Sequence, residues 1–539
     1  MTANTNIEFG QGEHRWDIPE MFNIGQDVCD KWADVEPERL AIVFERATGE
    51  VERLTFGALQ RMSNQAANCL RSHGIKRGDR VGILLPQSPQ TAAMHIAIYK
   101  SGAIAVPMFA LFGQDALEFR LADSGCRALL TDLEGAIKIA PIRARLPELS
   151  TLLVTGAKDA PSLKGVDFEK ALRSEPSTFS LVETRADDPA VIIYTSGTTG
   201  KPKGALHAHR TLLGHLPGVE MSHGGQIKPG DVFWTPADWA WIGGLLDVLL
   251  PALHHGVPVV AHRFAKFDAA AAYALMSRHA VTNVFLPPTA IKMLRADTEP
   301  GVRERLRVRS VASGGESLGS ELISWGRETF GVTINEFYGQ TECNMVVSSC
   351  DSLFAARPGA IGKAVPGHTV LVIDELGNPL PAGSLGEIAV QSPDPVMFLG
   401  YWNNPDATAA KFAGPFLRTG DMGVVDADGY VSFAGRNDDV ITSAGYRIGP
   451  GPIEDCLLSH SAVRMAAVVG KPDDQRTEIV KAFVILNEGF VASSALTKEL
   501  QDHVRNRLAA HEYPRAIEYV NAFPMTATGK IIRAELKKR

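Results

Sequence analysis

Between Tyr194 and Gly204 the chain reads YTSGTTGKPKG, directly after the apolar run AVII. Glycines let backbone N–H groups close on phosphate oxygens, and hydroxyl and ammonium groups add donors, so such a loop after a strand suits phosphate. The Walker A arrangement G-x-x-x-x-G-K-[ST] is excluded. Lys201 is followed by Pro202, where that motif needs a metal-binding hydroxyl and the start of a helix. For a Gly-rich stretch taken alone, a flexible hairpin loop is the alternative. Further on, WTPADWAWIGG (Trp234 to Gly244) reads by itself as a buried apolar turn, SGGES (Ser313 to Ser317) as a Gly-rich turn, and Asp421 in TGD as a solvated turn aspartate.

In their order along the chain, these strings resemble those of the adenylate-forming enzymes, which include acyl-CoA synthetases, adenylation domains of peptide synthetases and luciferases. TGD stands within FLRTGD, and four more matches are NEFYGQTEC, GRNDD, AGYRIG and PMTATGKIIR. The resemblance implies a nucleotide site built from Thr195, Ser196, Gly197, Thr198, Thr199, Gly200, Lys201, Pro202 and Lys203 around the β- and γ-phosphates. It implies Gly315, Glu316 and Ser317 beside adenine, and Glu336, Phe337, Tyr338, Gly339, Gln340 and Thr341 along the nucleotide, with Tyr338 stacking and Thr341 on the α-phosphate. Asp421 would take the ribose hydroxyls, and Arg436 and Arg447 would reach the nucleotide. Lys530, Thr341 and Glu342 are the implied catalytic set, with Mg²⁺ on Glu342. That ion wants hard oxygen ligands and usually binds one or two carboxylates plus substrate phosphates.

The chemistry implied has two halves. A carboxylate attacks the α-phosphorus of ATP, giving acyl-AMP and pyrophosphate, and the thiol of coenzyme A then displaces AMP. Two anions meet in the first half, so neutralising their charge should do most to lower its barrier. Between the halves, the resemblance implies rotation of a C-terminal domain about Asp438. That motion removes Lys530 and brings in Ala444, Gly445 and Tyr446, with Gly445 passing the pantetheine arm. Arg476, Arg505, Tyr513, Pro514 and Arg515 fall at coenzyme A-contacting positions; solvated surface arginines are the alternative.

Gly339 stands where short-chain acetyl-CoA synthetases carry a tryptophan that closes the acyl pocket, and Trp239 and Trp241 are expected to wall that pocket. With YGQTE, GYRIGP and GKPDDQRTEIVKAFVIL, the pattern is most similar to the medium-chain acyl-CoA synthetases, so a medium-chain, branched or aromatic acid is expected. Alternatives are a stand-alone enzyme loading a carrier protein, a short-chain branched acyl-CoA ligase, a luciferase-like oxygenase and a catalytically silent nucleotide sensor. The sensor should have lost Lys530, Glu342 or the loop, and all are present. The chain ends at KKR soon after Lys530, so no fused carrier domain is expected. Departures from the pattern are Pro452 with Ile453 in place of the first glutamate of GPxEVE, Ala240 in place of a glycine, and Asn437 before the hinge. A homo-oligomer, and acylation of Lys530 by a regulatory acyltransferase, are further expectations.

These side chains need a scaffold of more than one core, since 539 residues exceed the ~250–300 over which single cores grow. VGILL, AVPMF, ALLTD, LLVTG, AVIIYTS, VPVVA, NVFLPP and VRSVASGG read as buried strands between helices. The fold class is α/β: a large N-terminal domain (1–436) of layered α/β sheets plus a β subdomain from about Ala364 to Phe433, and a small mobile α+β C-terminal domain (437–539). At 45% apolar, 21% charged and a net charge of −7, the chain is no nucleic-acid binder. Six scattered cysteines without metal spacing, no signal segment at the N-terminus, and an apolar stretch interrupted by Asp238, Asp247 and prolines point to a cytoplasmic protein without a membrane span.

Overall fold

The computed structural model describes residues 14–157, 165–195, 202–297, 301–316, 318–357, 359–436, 439, 441–443, 446–473, 476–508, 512–525 and 531–539, with the side chains at 442, 446 and 447 outside the description. Among the described residues the strands form sheets of fourteen, eight and five members.

The eight-stranded sheet is built on Arg80–Leu84, Ile104–Pro107, Cys126–Thr131 and Thr151–Val154, which run parallel. These strands are almost continuously apolar because helices cover the sheet. Helix Phe56–Ser72 starts where the Thr55 side chain accepts from the Ala58 N–H, and Pro89–Lys100 where Ser88 accepts from Thr91 and Pro89 opens the first turn. Pro189–Thr195 joins parallel to Ile104–Pro107 and then turns back antiparallel as Lys203–Ala208.

The largest sheet has a parallel run through Val259–His262, Phe233–Trp234, Asn283–Phe285, Ser310–Gly314 and Ile334–Gln340. All the strands expected from the apolar runs are strands here. The expected β subdomain differs in one respect. Its antiparallel strands continue the same sheet through Cys343–Ser348, Gly362–Ala364, Tyr430–Arg436 and Phe416–Val425, instead of forming a sheet of their own. Cys343–Ser348 turns straight back from Ile334–Gln340, so hydrogen bonding passes from parallel to antiparallel without a break.

The large sheet's strand Tyr430–Arg436 ends where the five-stranded sheet is about to begin, at Ile441–Ser443. That sheet centres on the hairpin Val463–Asp473 and Thr477–Leu486, with helices Pro450–Leu458 and Ser494–Arg507 and a core of its own. A Cβ on Gly449 would lie 1.7 Å from the Ala434 carbonyl oxygen, so the backbones entering the two sheets touch. Among the described residues no helix is long and apolar enough to cross a membrane, and all six cysteines are free and buried.

Candidate active site

The hairpin that carries YTSGTTGKPKG closes at the pair Thr195 and Lys203. Residues Ser196, Gly197, Thr198, Thr199, Gly200 and Lys201 lie outside the described residues. Below the tip, the Tyr194 hydroxyl donates to Asp123 Oδ2 at 2.6 Å, and a Cβ on Gly204 would meet Ile192 at 2.7 Å and the Tyr194 ring. Tyr194 is thus a foot of the loop, and Gly204 lets the two strands close.

Lys203 Nζ sits 5.1 Å from the centre of the Tyr401 ring, and the Tyr401 hydroxyl donates to Glu342 Oε1. Gly400–Tyr401 pairs with the loop's return strand, Tyr401 opposite Ala205. One tyrosine therefore ties the base of the loop to the carboxylate of the Thr341–Glu342 turn, more than a hundred residues away in sequence. Glu342 is buried, with a backbone carbonyl that accepts from the Phe398 N–H at 2.9 Å. Thr341 stands beside it, partly buried, at the turn between Ile334–Gln340 and Cys343–Ser348.

Alternation along Ile334–Gln340 sorts the expected nucleotide residues onto two faces. On one face, the Tyr338 hydroxyl donates to Asp421 Oδ2 at 2.6 Å, and Gln340 Nε2 donates to the Thr419 carbonyl at 3.0 Å. Asp421 lies opposite Arg436 in strand register, with its Oδ1 3.4 Å from Arg436 Nε. Glu336 accepts from the Leu318 N–H, and burial pushes its carboxyl up to about 8. On the other face, Phe337 belongs to the core. Its ring packs 5.2 Å from Phe285 and fills the space where a Cβ on Gly314 would stand. Contact between a nucleotide and Phe337 is thereby limited to its backbone.

Gly339 is on the Phe337 face, and a Cβ there would meet Met345 N at 2.4 Å and Asn344 Cα at 2.6 Å. The space beside the Gly339 Cα is filled by backbone of the returning strand, so any side chain at this position would have to displace that strand. Trp241 packs on Phe285 at 5.6 Å, extending an aromatic wall through Phe285 to Phe337, while Trp239 is fully buried in the same core. Gln87 pins this segment by donating to the Thr235 and Ala237 carbonyls. Gly315 has φ +99, a conformation that favours glycine, and Glu316 follows it, partly buried. Ser317 lies outside the described residues.

Lys411 is one site residue that sequence reasoning missed. Its ammonium donates to Gln340 Oε1 at 2.6 Å, the Arg418 carbonyl at 2.9 Å and the Thr419 carbonyl at 3.4 Å. Burial lowers its pKa, against the opposing pull of Glu342 and Asp421, which it faces. Tyr401 was missed in the same sense, whereas Glu454 is the residue that keeps the second glutamate of the GPxEVE pattern. Glu454 accepts two bonds from Arg533 at 2.7 and 2.8 Å and one from the Val468 N–H, fixing the end of PMTATGKIIR onto helix Pro450–Leu458. Glu316 adds to the field that favours the charged Arg533, so this end of the C-terminal segment faces the SGGES turn.

Arg505 and Arg515 both stack on Tyr513, at 4.6 and 4.9 Å from its ring centre, and are exposed, with Pro514 buried between the last two. Arg476 caps the hairpin turn, its N–H donating to Asp473. Asp438, Ala444, Gly445 and Lys530 lie outside the described residues, and of Tyr446 and Arg447 only the strand backbone is described.

Among the described residues there is no cluster of three or more His, Cys, Asp or Glu able to cage a metal. A single buried carboxylate in a turn next to a hydroxyl fits Mg²⁺ carried on substrate phosphates, which uses one or two carboxylates in place of an all-protein cage.

Comparison with known proteins places this geometry. The family described as AMP-binding enzyme matches residues 29–402, and the AMP-binding enzyme C-terminal domain matches residues 452–530. The human acyl-coenzyme A synthetase ACSM4, mitochondrial, is 35% identical over 96% of this chain and 91% of its own length. The human ACSM2B, mitochondrial, is 35% identical over 99% and 93%. Among solved structures, the anthranilate CoA ligase AuaEII in complex with anthranoyl-AMP superposes with a TM-score of 0.88 at 30% identity, over 97% of this chain and 98% of that one. Brucella canis acyl-CoA synthetase gives 0.74 at 36% identity, over 96% and 94%. The chain belongs to the AMP-binding enzyme family.

Proposed function

We propose that the protein is an ATP-dependent acyl-CoA synthetase that activates a medium-chain, branched or aromatic carboxylic acid as acyl-AMP and transfers the acyl group to coenzyme A, releasing AMP and pyrophosphate. The observation that carries the reading is the linkage of Lys203, Tyr401 and Glu342 beside the Tyr338, Asp421 and Arg436 cluster. It unites phosphate-loop base, carboxylate and a tyrosine–aspartate pair in a chain whose relatives are named acyl-CoA synthetases.

In this reading, Thr195, Pro202, Lys203 and the loop between them grip the β- and γ-phosphates, and Tyr338 and the Gly315–Ser317 turn bracket adenine. Asp421 holds the ribose, with Tyr338 and Arg436 fixing its carboxylate. Mg²⁺, when bound at Glu342, supplies positive charge to the nucleotide phosphates; Tyr401 orients that carboxylate, and Thr341 donates to the α-phosphate. Lys530 supplies the charge that steadies the attacking carboxylate and the α-phosphate. For the second half, Asp438 is the hinge, Gly445 with Ala444 and Tyr446 lines the thiol's path, and the exposed Arg505 and Arg515 stacked on the partly buried Tyr513, together with Pro514 and Arg476, meet the phosphates of coenzyme A. Domain limits of 1–436 and 437–539 go with this assignment.

Pyrophosphate release across acids from C2 to C12, with benzoate and isobutyrate, followed by thioester formation with coenzyme A or a carrier protein, tests the reading. Lys530→Ala is expected to abolish acyl-AMP formation while largely sparing transfer from preformed acyl-AMP; equal loss of both half-reactions would overturn the assignment. The buried free thiols suit a reducing compartment such as the cytoplasm, although the human relatives are named mitochondrial. Light scattering would read a homo-oligomer, and intact mass would read acylation of Lys530.

A further inference from the structure

Behind the turn that carries Glu342, a carboxylate stands where the core is otherwise apolar. Asp247 is 3% exposed and lies in the π-helical segment Leu245–Leu249, whose other members are Leu245, Leu246, Val248 and Leu249, all fully buried. Its Oδ1 accepts from Asn344 Nδ2 at 2.7 Å, and its Oδ2 has no hydrogen-bond partner among the described residues. A buried carboxyl oxygen without a partner is unfavourable, and π-helical turns recur at functional sites.

Two contacts locate the pair against the expected acyl pocket. Gly243, one turn before Asp247 and on the same helical face, looks toward Phe285 and the Trp241 ring at 3.0 Å, the aromatic wall. Asn344, two residues past Glu342, presents its Cα and Oδ1 to Gly339 at 2.6 and 2.8 Å from where a Cβ would stand. The pair therefore bridges the helix and the turn that hold Trp241 and Gly339. We propose that Asp247, held by Asn344, is the specificity-determining residue at the closed end of the acyl pocket, where its Oδ2 meets an oxygen substituent, so that the preferred acid carries a hydroxyl group remote from its carboxylate. Burial holds the Asp247 carboxyl well above the usual carboxylate range, and a substrate hydroxyl, which can both donate and accept, is a partner that its Oδ2 lacks.

This inference rests on the acyl-CoA synthetase reading, and one experiment separates the two. Pyrophosphate release is measured with paired acids: benzoate against 3- and 4-hydroxybenzoate, and hexanoate and octanoate against their ω-hydroxy forms. A site built to bond a hydroxyl rejects the analogue that lacks it, so at least one hydroxylated acid should exceed its parent in kcat/KM by about tenfold or more. Asp247→Leu, of similar shape, should reverse that ratio. If no acid releases pyrophosphate, the synthetase reading fails. If parents and hydroxylated acids react alike in the wild type, or Asp247→Leu folds and leaves the ratio unchanged, Asp247 satisfies itself with a buried water only and this inference fails. The wild-type panel decides the matter even where Asp247→Leu does not fold.

Discussion

A lysine ammonium buried in a protein needs an acceptor for each of its three N–H bonds, and Lys411 has three: the Gln340 side chain and the carbonyls of Arg418 and Thr419. Two of these acceptors belong to residues flanking functional ones, Gln340 before Thr341 and Thr419 near Asp421. Lys411 thus couples the Thr341–Glu342 turn to the Asp421 strand, and adds positive charge facing both carboxylates. Lys411→Met keeps the length of the side chain and removes every donor. A lost hydrogen bond to a charged group costs about 1.5–3 kcal/mol, so kcat/KM for ATP should fall by roughly ten- to a hundredfold, with KM for ATP carrying much of it. Steady-state pyrophosphate release at varied ATP checks this. An unchanged KM for ATP with a lowered melting temperature would make Lys411 a structural residue only.

At the scale of elements, the junction of the two sheets has a built-in contrast. Helix Pro450–Leu458 is entered through Gly449, where an added Cβ would lie 1.7 Å from the Ala434 carbonyl oxygen, whereas one on Gly451, two residues on, meets nothing within 4 Å. Gly449→Ala must push the helix off strand Tyr430–Arg436; Gly451→Ala should be neutral or stabilising by up to about 1 kcal/mol through helix propensity. The observed arrangement turns Arg533 toward Glu316, so Gly449→Ala is expected to slow acyl-AMP formation more than thiol transfer from preformed acyl-AMP, with Gly451→Ala as the control. Single-turnover assays of the two half-reactions read the difference, and equal slowing of both would refute it. The strands and helices on either side of this junction were legible because apolar runs and capping residues are local signals. The continuity of the antiparallel strands with the large sheet was not, because register between segments leaves no local trace. The same holds within the site. Tyr338, Glu342 and Asp421 could be picked out by motif, but Tyr401 bonds Glu342 across 59 residues, Lys411 bonds Gln340 across 71 and Arg533 bonds Glu454 across 79. Gly339 was noticed for its missing side chain, and only the returning strand explains why a side chain has no room there.

Over the whole molecule, burial sets two groups of titrating side chains against each other. His95, His207 and His223 are driven down to about 3 by burial, and His209 and His215 to about 4, from an ordinary value of 6.5. Glu220 and Glu336 are pushed up to about 8 by burial from 4.5, and Asp247 is held well above 3.8. Stability rises with pH wherever the unfolded chain binds more protons than the folded one. The histidines meet that condition from about 3 to 6.5, so their contribution is complete above 6.5 and is lost as pH falls through the folded values. The carboxyls have the opposite sign: the folded chain holds protons that the unfolded chain has released, and stability is lost as pH rises from about 4.5 to 8. Between about 4.5 and 6.5 the two groups oppose one another; below that window the histidines act unopposed, and above it the carboxyls do. The melting temperature should therefore peak between about pH 5 and 6.5, fall steeply below pH 4.5, and decline again toward pH 8.5. Glu220→Gln, which keeps the side-chain shape and cannot ionise, should flatten the alkaline decline while leaving the acid limb in place. Differential scanning fluorimetry of the two proteins in buffers matched for ionic strength reads both limbs, and a wild-type melting temperature that keeps rising from pH 6.5 to 8 would show that these carboxyls ionise in the folded protein.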